Sequence, residues 1–372
     1  MPRNKPWLVI AQSGRALACS AARAGRDTCV IDRFADLDTQ AAARNVRLID
    51  EYSKSININK LLDIINEYSN IKFAGVVPGS GLESHVEVLE NINQYWPLYG
   101  NNAETVRACK DPARFFNLLD TLGIPHPEVA TGNHVIDGEW LLKHAGGAGG
   151  DHISGYVPGD VLPSGGYVQK KIEGRSLSVV FLADSKNCQI IGINEIWSVA
   201  PENNDYRYLG AVTLPESGTQ LASELGEITH TLVQALALKG LCGLDLIIDE
   251  SDHCHILEIN PRPTATFELH ERTNSLFEAH ILACQGRLES LPDPGKSYYA
   301  HKVIYAVEDF IMPEFAWPSW TTDRPVPGRV IRKDNPVCLI HAHADKSHSI
   351  HHLLENRTQV LRQLLPMLKR AA

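Results

Sequence analysis

The pattern of apolar and polar positions opens with a strand, a helix and a second strand. An apolar run at 7–11 precedes a helix-like segment at 16–24, which Gly25 closes, and 28–32 is a second, β-branched run. This order predicts a βαβ unit. Only Gly14 lies in the first turn, so the three-glycine dinucleotide fingerprint is absent and a plain scaffold unit is favoured over a cofactor site.

Another apolar strand at 73–77 runs into the turn Pro-Gly-Ser-Gly-Leu-Glu at 78–83. The backbone N–H groups of such a turn can bind an anion. Its glycines can equally serve a turn that needs positive φ. The segment by itself leaves both interpretations open.

Beyond Lys110 the pattern changes several times. A helical segment from Lys110 ends near Gly123, and a glycine-rich stretch follows at 145–150. Further predicted elements are a hairpin at 177–182 and 190–196, a helix at 224–238, a strand pair at 242–248 and 255–259, and a closing helix at 353–368. Prolines cluster after about residue 290, which predicts an extended, loop-rich C-terminal module.

Composition narrows the class of protein. The 372 residues carry a formal net charge of -9, which argues against a general surface for nucleic acid. Eight scattered cysteines without a CxxC pair indicate reduced thiols and a cytoplasmic location. The apolar run near the start is too short for a signal peptide or a membrane span, so no membrane partner is expected.

The sharpest chemical signal is Gly-Leu-Asp at 243–245 followed by Leu-Glu-Ile-Asn-Pro-Arg-Pro at 257–263. Alternation along a strand puts Glu258 and Asn260 on one face, and pairing across the hairpin brings Asp245 to the same face. Two carboxylates and an amide oxygen form a hard-oxygen site suited to Mg²⁺, with Mn²⁺ as the alternative cation. An acidic surface hairpin is the competing interpretation, but the flanking residues are strongly apolar.

Two weaker signals precede this hairpin. Lys143 ends an apolar strand, and the glycines that follow can close backbone amides over nucleotide phosphates; these are Gly146, Gly147, Gly149 and Gly150. As a lone motif, this stretch would more often be an ordinary linker. The segment 167–174, Tyr-Val-Gln-Lys-Lys-Ile-Glu-Gly, is typical of a hinge that contacts adenine, although many strands end similarly.

Taken in order, these segments resemble the ATP-grasp superfamily over roughly residues 105–275. The resemblance implies an α/β (α+β) fold in four parts: an N-terminal Rossmann-like domain at 1–105, a lid subdomain at 106–175, a subdomain with the Mg²⁺ site at 176–290, and the C-terminal extension at 291–372. It also implies ATP and Mg²⁺ as cofactors.

The resemblance assigns roles to individual residues. It implies that Lys110 and Lys143 bind ATP phosphates beneath the glycine loop, and that Gln169, Lys170 and Ile172 surround adenine. Asp245, Glu258 and Asn260 would bind the metal, and Arg262 would face the phosphoryl group. The family commonly has an acidic residue for the ribose where this chain has Ser176. A serine can still hydrogen-bond a ribose hydroxyl, and Glu173 is the substitute candidate.

Within the superfamily, the chain resembles carboxylate–amine ligases such as the tyramine–glutamate ligases of methanofuran- and methylofuran-type cofactor synthesis. The segments that carry this likeness are 75–83, 171–176 and 317–328. The resemblance implies two small-molecule substrates, a glutamate-like carboxylate and an aromatic or amino-acid amine. A second copy of the chain, in a homodimer, is the protein partner considered.

Three other interpretations remain. A carboxylase-type ATP-grasp subunit shares the scaffold, although this chain is short for one, and a nucleotide-binding regulatory module would not need the Asp245, Glu258 and Asn260 set. A metal-binding protein without catalytic activity is suggested by a histidine group: His341, His343, His348, His351 and His352. A solvated histidine-rich surface is favoured over such a site, because no cysteine or carboxylate completes a tight spacing.

Overall fold

The computed structural model describes residues 5–49, 56–131, 138–157, 159–215, 220–271, 275–292 and 295–368. The extreme start of the chain and Pro294, one of the clustered prolines, lie outside these ranges.

The N-terminal unit alternates strands and helices: β1 (Trp7–Ile10), α1 (Arg15–Arg23), β2 (Thr28–Asp32), α2 (Leu37–Ala42), β3 (Asn45–Leu48), α3 (Ile58–Tyr68), β4 (Val76–Pro78) and α4 (Glu87–Tyr95).

The N-terminal unit is a four-stranded parallel sheet in the order β3-β2-β1-β4. Leu8, Val9 and Ile10 of β1 are all fully buried. A parallel strand covered on both faces is expected to be continuously apolar, as this one is. The predicted opening βαβ unit is therefore confirmed. In its first turn, the backbone N–H of Gly14 donates to the Asp32 carboxylate at 3.0 Å.

Two short helices, α5 (Ala103–Lys110) and α6 (Pro112–Leu122), precede a small four-stranded sheet in the predicted lid subdomain. This sheet is called the lid below. Asp111 accepts the N–H of Arg114 to cap α6, and Gly123 ends that helix with a φ of 65°. The lid strands are β5 (Val129–Ala130), β6 (Trp140–His144), β7 (Ile153–Tyr156) and β8 (Gly166–Lys170). They pair antiparallel in the order β5-β8-β6-β7.

The largest element is an eight-stranded sheet in the order β13-β12-β9-β10-β11-β14-β18-β16. Its first part and flanking helices are β9 (Gly174–Asp184), β10 (Cys188–Ala200), β11 (Asp205–Leu214), α7 (Gln220–Leu236), β12 (Lys239–Asp249), β13 (Cys254–Asn260) and α8 (Leu276–Cys284). Alternation along β9 divides its side chains between two cores. Leu177 and Val179 pack with α7, whereas Val180 and Leu182 pack with α8 and with the N-terminal unit.

The C-terminal segment differs from the predicted loop-rich module. Its elements are β14 (Tyr298–Tyr305), β15 (Phe310–Ile311), β16 (Thr321–Thr322), β17 (Val330–Ile331), β18 (Pro336–Ala344) and α9 (Ser347–Leu364). Strands β14, β18 and β16 extend the central sheet, so this segment is continuous with the preceding subdomain. The prolines lie mainly in the connections, and β18 begins at Pro336, a position that tolerates proline.

Candidate active site

Two paired strands assemble the predicted metal ligands. Asp245 on β12 lies directly opposite Glu258 on β13. Asn260 Nδ2 donates to Asp245 Oδ2 at 2.8 Å and to Glu258 Oε1 at 3.3 Å. The three side chains therefore lie on one face of the hairpin, as the alternation predicts.

The charges of this group call for a cation. Burial, and next the adjacent Glu258 carboxylate, raise the pKa of Asp245 to about 7. Burial also opposes ionisation of Glu258, but Lys110, His152 and Lys143 together hold its pKa well below the usual range. Two facing carboxylates with an adjoining amide are a donor set that fits Mg²⁺.

Lys110 reaches this group from the end of α5. Its Nζ donates to Asn260 Oδ1 at 2.8 Å and to Glu258 Oε2 at 3.1 Å. The lysine side chain is only 7% exposed, whereas that of Glu258 is 31% exposed. The structure thus holds the ammonium of Lys110 directly at the predicted metal ligands.

Lys143 approaches from the lid. It lies on β6 and is 6% exposed. Burial lowers its pKa, while the charges of Glu258 and Asp245 act in the opposite direction. The lid thereby brings a second lysine toward the same carboxylates, although Lys143 lies roughly a hundred residues earlier in the chain.

The glycine loop lies closed against two neighbouring segments. A Cβ on Gly146 would come within 2.9 Å of the Ser84 backbone, and a Cβ on Gly150 within 1.9 Å of the Tyr206 carbonyl oxygen. Both glycines have positive φ, 72° and 83°. The Gly149 carbonyl accepts the N–H of Tyr208 at 2.9 Å. These close backbone approaches explain why glycine is needed in this loop.

Neighbouring residues of the predicted adenine segment lie on opposite faces of β8. Gln169 is 1% exposed, and its Nε2 atom has no hydrogen-bond partner among the described residues. A buried, unpartnered amide is suited to a ligand with hydrogen-bonding edges. Lys170 is exposed, with Nζ 3.8 Å from Glu128, so its side chain lies away from the other site residues. Ile172 is partly buried in the connection to β9.

The two ribose candidates have different surroundings. Glu173 is exposed and pairs with Lys171 at 2.7 Å. Ser176 pairs with Ile247 across β9 and β12, two positions from the pair formed by Ser178 and Asp245. Ser176 therefore shares a sheet face with the predicted metal ligand Asp245.

Arg262 forms a buried ion pair with Glu83 from the N-terminal unit. Burial disfavours the charge of Glu83, but Arg262 and Lys110 hold its pKa below the usual value. A second nitrogen of Arg262 lies 3.3 Å from Asn260 Oδ1, so the guanidinium adjoins the predicted metal ligands. Glu83 also accepts the N–H of Gly81 at 2.6 Å, which favours the positive-φ turn interpretation of the segment 78–83.

The structure adds residues that the sequence pattern did not identify. His152 is largely buried in the cleft between the lid and β13, and burial lowers its pKa to about 4. The hydroxyl of Ser178 hydrogen-bonds Asp245 and favours its charged form. Asn194 on β10 lies opposite Ser178, and Thr213 on β11 lies opposite Asn194. These polar side chains therefore form a row across neighbouring strands. A serine within a strongly apolar strand was the one available signal for Ser178.

A second cavity, of about 210 Å³, is lined in part by Tyr208 of β11. It is bounded by the N-terminal unit, the segment after Arg262 and the C-terminal strands. Its wall is largely apolar, with Leu17, Phe34, Phe267, Val303 and Leu339 among its residues. Its charged residues are Arg15, Glu268 and Asp323, and Arg15 pairs with both carboxylates.

The predicted histidine group separates in the structure. His343, His348, His351 and His352 are exposed, which agrees with a solvated surface. His341 instead lies beside the second cavity, where ligand atoms of Glu268, His301 and His341 come within 4.8 Å of one another. Both Glu268 oxygens already accept from Arg15, whose positive charge disfavours a metal ion there, and we assign none.

A family model, curated relatives and solved structures are similar to parts of this chain. A family model described as an ATP-grasp domain matches residues 109–266. The carbamoyl phosphate synthase large chain of Pyrococcus furiosus is 23% identical over 78% of this chain. The match covers 29% of that relative, so the chain spans less than a third of its length.

Two solved structures share the fold. The L-amino acid ligase of Bacillus licheniformis has a TM-score of 0.70 at 12% identity, covering 96% of this chain and 97% of that one. The biotin carboxylase domain of Hydrogenobacter thermophilus 2-oxoglutarate carboxylase, in complex with MgADP, ADP and bicarbonate, has a TM-score of 0.72 at 14% identity, covering 96% and 89%. The predicted ATP-grasp fold is thus confirmed.

No helix among the described residues combines the length and apolar character needed to cross a membrane.

Proposed function

We propose that the protein is an ADP-forming ligase that joins a carboxylate to an amine through an acylphosphate. The observation that carries the proposal is the convergence of Lys110, Lys143 and Arg262 on Asp245, Glu258 and Asn260, beside a separate cavity for organic substrates. In the first step a substrate carboxylate attacks the γ-phosphate. In the second, an amine displaces phosphate from the acylphosphate.

The residues of the site have distinct tasks in this scheme. Lys110 and Lys143 neutralise negative charge that spreads over the phosphoryl oxygens, and Arg262 stabilises the oxyanion formed by amine attack. Asp245, Glu258 and Asn260 would hold Mg²⁺, which supplies further charge neutralisation at the phosphates when bound. The glycine loop and lid exclude water, which would otherwise hydrolyse the acylphosphate.

The finer assignment is a glutamate-like acid and an aromatic amine, in the cytoplasm, within methylofuran-type cofactor synthesis. It rests on the likeness of the segments 75–83, 171–176 and 317–328 to the tyramine–glutamate ligases. The apolar wall of the second cavity supports an organic substrate with a hydrophobic body.

A carboxylase-type reaction is the second candidate. Carbamoyl phosphate synthase is among the relatives, and one solved neighbour contains bicarbonate. The volume and apolar wall of the second cavity favour a larger, partly apolar substrate over bicarbonate. ADP release that depends on bicarbonate alone would favour the carboxylase reaction instead.

The deciding experiment follows oxygen atoms. Candidate acids labelled with ¹⁸O in the carboxylate are incubated with ATP, Mg²⁺ and hydroxylamine, which traps an acylphosphate as a hydroxamate. We expect ADP, hydroxamate and one labelled oxygen in the released phosphate. AMP with pyrophosphate would contradict the mechanism, since it indicates adenylation. Binding of ATP without turnover of any acid would favour a regulatory module.

A further inference from the structure

The second cavity contains a chain of three hydrogen-bonded side chains. Tyr208 lines the cavity, and its hydroxyl lies 2.5 Å from His301 Nε2. His301 Nδ1 lies 3.2 Å from Glu268 Oε1, and the His301 side chain is fully buried. Tyr208, His301 and Glu268 come from three separate parts of the sequence, and none has a part in phosphoryl transfer as described above.

The ionised state of Glu268 determines where the protons lie in this hydrogen-bonded series of side chains. Burial opposes the charge of Glu268, but Arg15 holds the pKa of Glu268 well below its usual range, so the carboxylate is ionised and only accepts. His301 Nδ1 therefore donates to Glu268, and His301 Nε2 accepts the hydroxyl proton of Tyr208. The Tyr208 oxygen keeps lone pairs that can accept a further proton, and Tyr208 lines the cavity.

The charges around the cavity favour a cation with an apolar body. Arg15 contributes one positive charge against the two carboxylates of Glu268 and Asp323. The other titratable groups that face the Tyr208–His301 pair are His341 on β18, Tyr305 on β14 and, at longer range, Asp245 on β12. Burial lowers the pKa of His341 to about 4, so this histidine adds no positive charge at neutral pH.

A ligase that uses a primary amine must remove a proton from it. With a pKa near that of a lysine side chain, only roughly one amine in a thousand is neutral at pH 7. Attack on an acylphosphate needs the free lone pair, so a nearby base accelerates the second step. Tyr208 lines the second cavity; burial raises the pKa of Tyr208, and the charge of Asp245, a predicted metal ligand, contributes to this rise.

We propose that the second cavity binds the ammonium group of a hydrophobic primary amine and that Tyr208 takes its proton. The inference rests on the proposed ligase function and adds the place where the amine binds and a base. As the ammonium N–H bond breaks, a new O–H bond forms on Tyr208, and the original hydroxyl proton passes to His301 Nε2. The resulting imidazolium is stabilised by Glu268. The amine lone pair then forms the C–N bond, and phosphate leaves.

The test separates the two half-reactions by changing the nucleophile. Hydroxylamine is largely uncharged at pH 7 and needs no base, whereas tyramine is almost entirely an ammonium ion. With an acid that yields hydroxamate in the wild-type enzyme, we expect Tyr208→Phe and His301→Gln to lower amide formation from tyramine about 100-fold at pH 7. Hydroxamate formation should fall much less. Tyr95→Phe is the control, because Tyr95 is exposed on α4, away from the residues of both sites.

The pH dependence provides a second readout. Between pH 7 and 9, amide formation by Tyr208→Phe should recover roughly tenfold per pH unit, as the fraction of free amine rises. If Tyr208→Phe forms the amide at pH 7 within about threefold of the wild-type rate, the proposed base is overturned. An equal loss of amide and hydroxamate that persists at pH 9 would overturn it as well. If the wild-type enzyme forms the hydroxamate but no amide from tyramine, the amine assignment is overturned. If it forms no hydroxamate with any acid, the ligase function is refuted instead.

Discussion

At the scale of single residues, the site depends on a few charges held close together. Asp245 and Glu258 face each other across a strand pair, and the positive charges of Lys110 and Lys143 favour the ionised form of Glu258. We expect Glu258→Gln to lower ADP formation at least about 100-fold, since even indirect partners of a metal contribute 10–100-fold. The rate of ADP release at saturating ATP measures the effect.

The folded state should survive this change, because glutamine has nearly the same shape as glutamate. Circular dichroism melting should therefore give a similar Tm. Glu250→Gln is the matched control, since Glu250 is exposed in the turn of the same hairpin. Turnover of Glu258→Gln within a few-fold of wild type would contradict the metal assignment.

Lys143 provides a second test at this scale. Its ammonium is buried near the carboxylates, so water cannot replace the lost charge in Lys143→Ala. We expect the KM for ATP to rise and kcat to fall, each about tenfold or more. Steady-state kinetics with varied ATP measure both. Lys170→Ala, on the exposed face of a neighbouring lid strand, should have little effect. A change confined to the KM of the amine would place Lys143 in another pocket.

Local periodicity in the sequence predicts only some of the site residues. Asp245, Glu258 and Asn260 were predictable because alternation and one tight hairpin determine which side chains meet. His152 and Ser178 were not predicted, since each reaches the site through packing of segments that are distant in sequence. Lys170 lies on the outer face, because the side chains of β8 alternate between the two faces of the lid sheet.

At the scale of elements, close backbone packing holds the glycine loop against β11. In Gly150→Ala the added Cβ would meet the Tyr206 carbonyl oxygen, which belongs to a sheet strand and cannot move easily. We expect the KM for ATP to rise at least about tenfold. Gly149→Ala is the matched control, because it has similar positive φ but no atom within 4 Å of the added Cβ. Equal effects of the two variants would indicate backbone strain alone.

The C-terminal elements were harder to predict than this loop. Prolines dominate their connections, and strands such as β16 and β17 have only two residues each. Short strands carry little periodicity, so sequence alone does not distinguish them from loops. In the structure, pairing with β18 incorporates β16 into the central sheet.

At the scale of the whole molecule, a buried ion pair joins the N-terminal unit to the segment that follows β13. Glu83 and Arg262 are both buried, so Glu83→Gln leaves the guanidinium without its counter-charge. We expect a loss of roughly 3 to 5 kcal/mol in the free energy of unfolding at pH 7. Chemical denaturation measures the loss, with Glu87→Gln on the exposed surface as the control.

The same pair predicts a pH dependence of stability. The folded-state pKa of Glu83 lies below the unfolded value, so the carboxylate stabilises the fold above about pH 4.3. This contribution is lost as the pH falls through the lower, folded-state pKa. The stability difference between wild type and Glu83→Gln should therefore shrink in acid. A difference that stays constant down to pH 3 would contradict the assignment.

The sequence by itself determined the opening βαβ unit, the ATP-grasp order of motifs and the carboxylate hairpin. Each depends on short-range periodicity or on strands joined by a tight turn, so local physics fixes which side chains share a face. Only the tertiary structure decided that Lys110 and Lys143 meet at this hairpin, and that Arg15, Tyr208, Glu268 and His301 surround one cavity. Those residues lie far apart in the sequence, and long-range packing of this kind leaves no periodic trace in it.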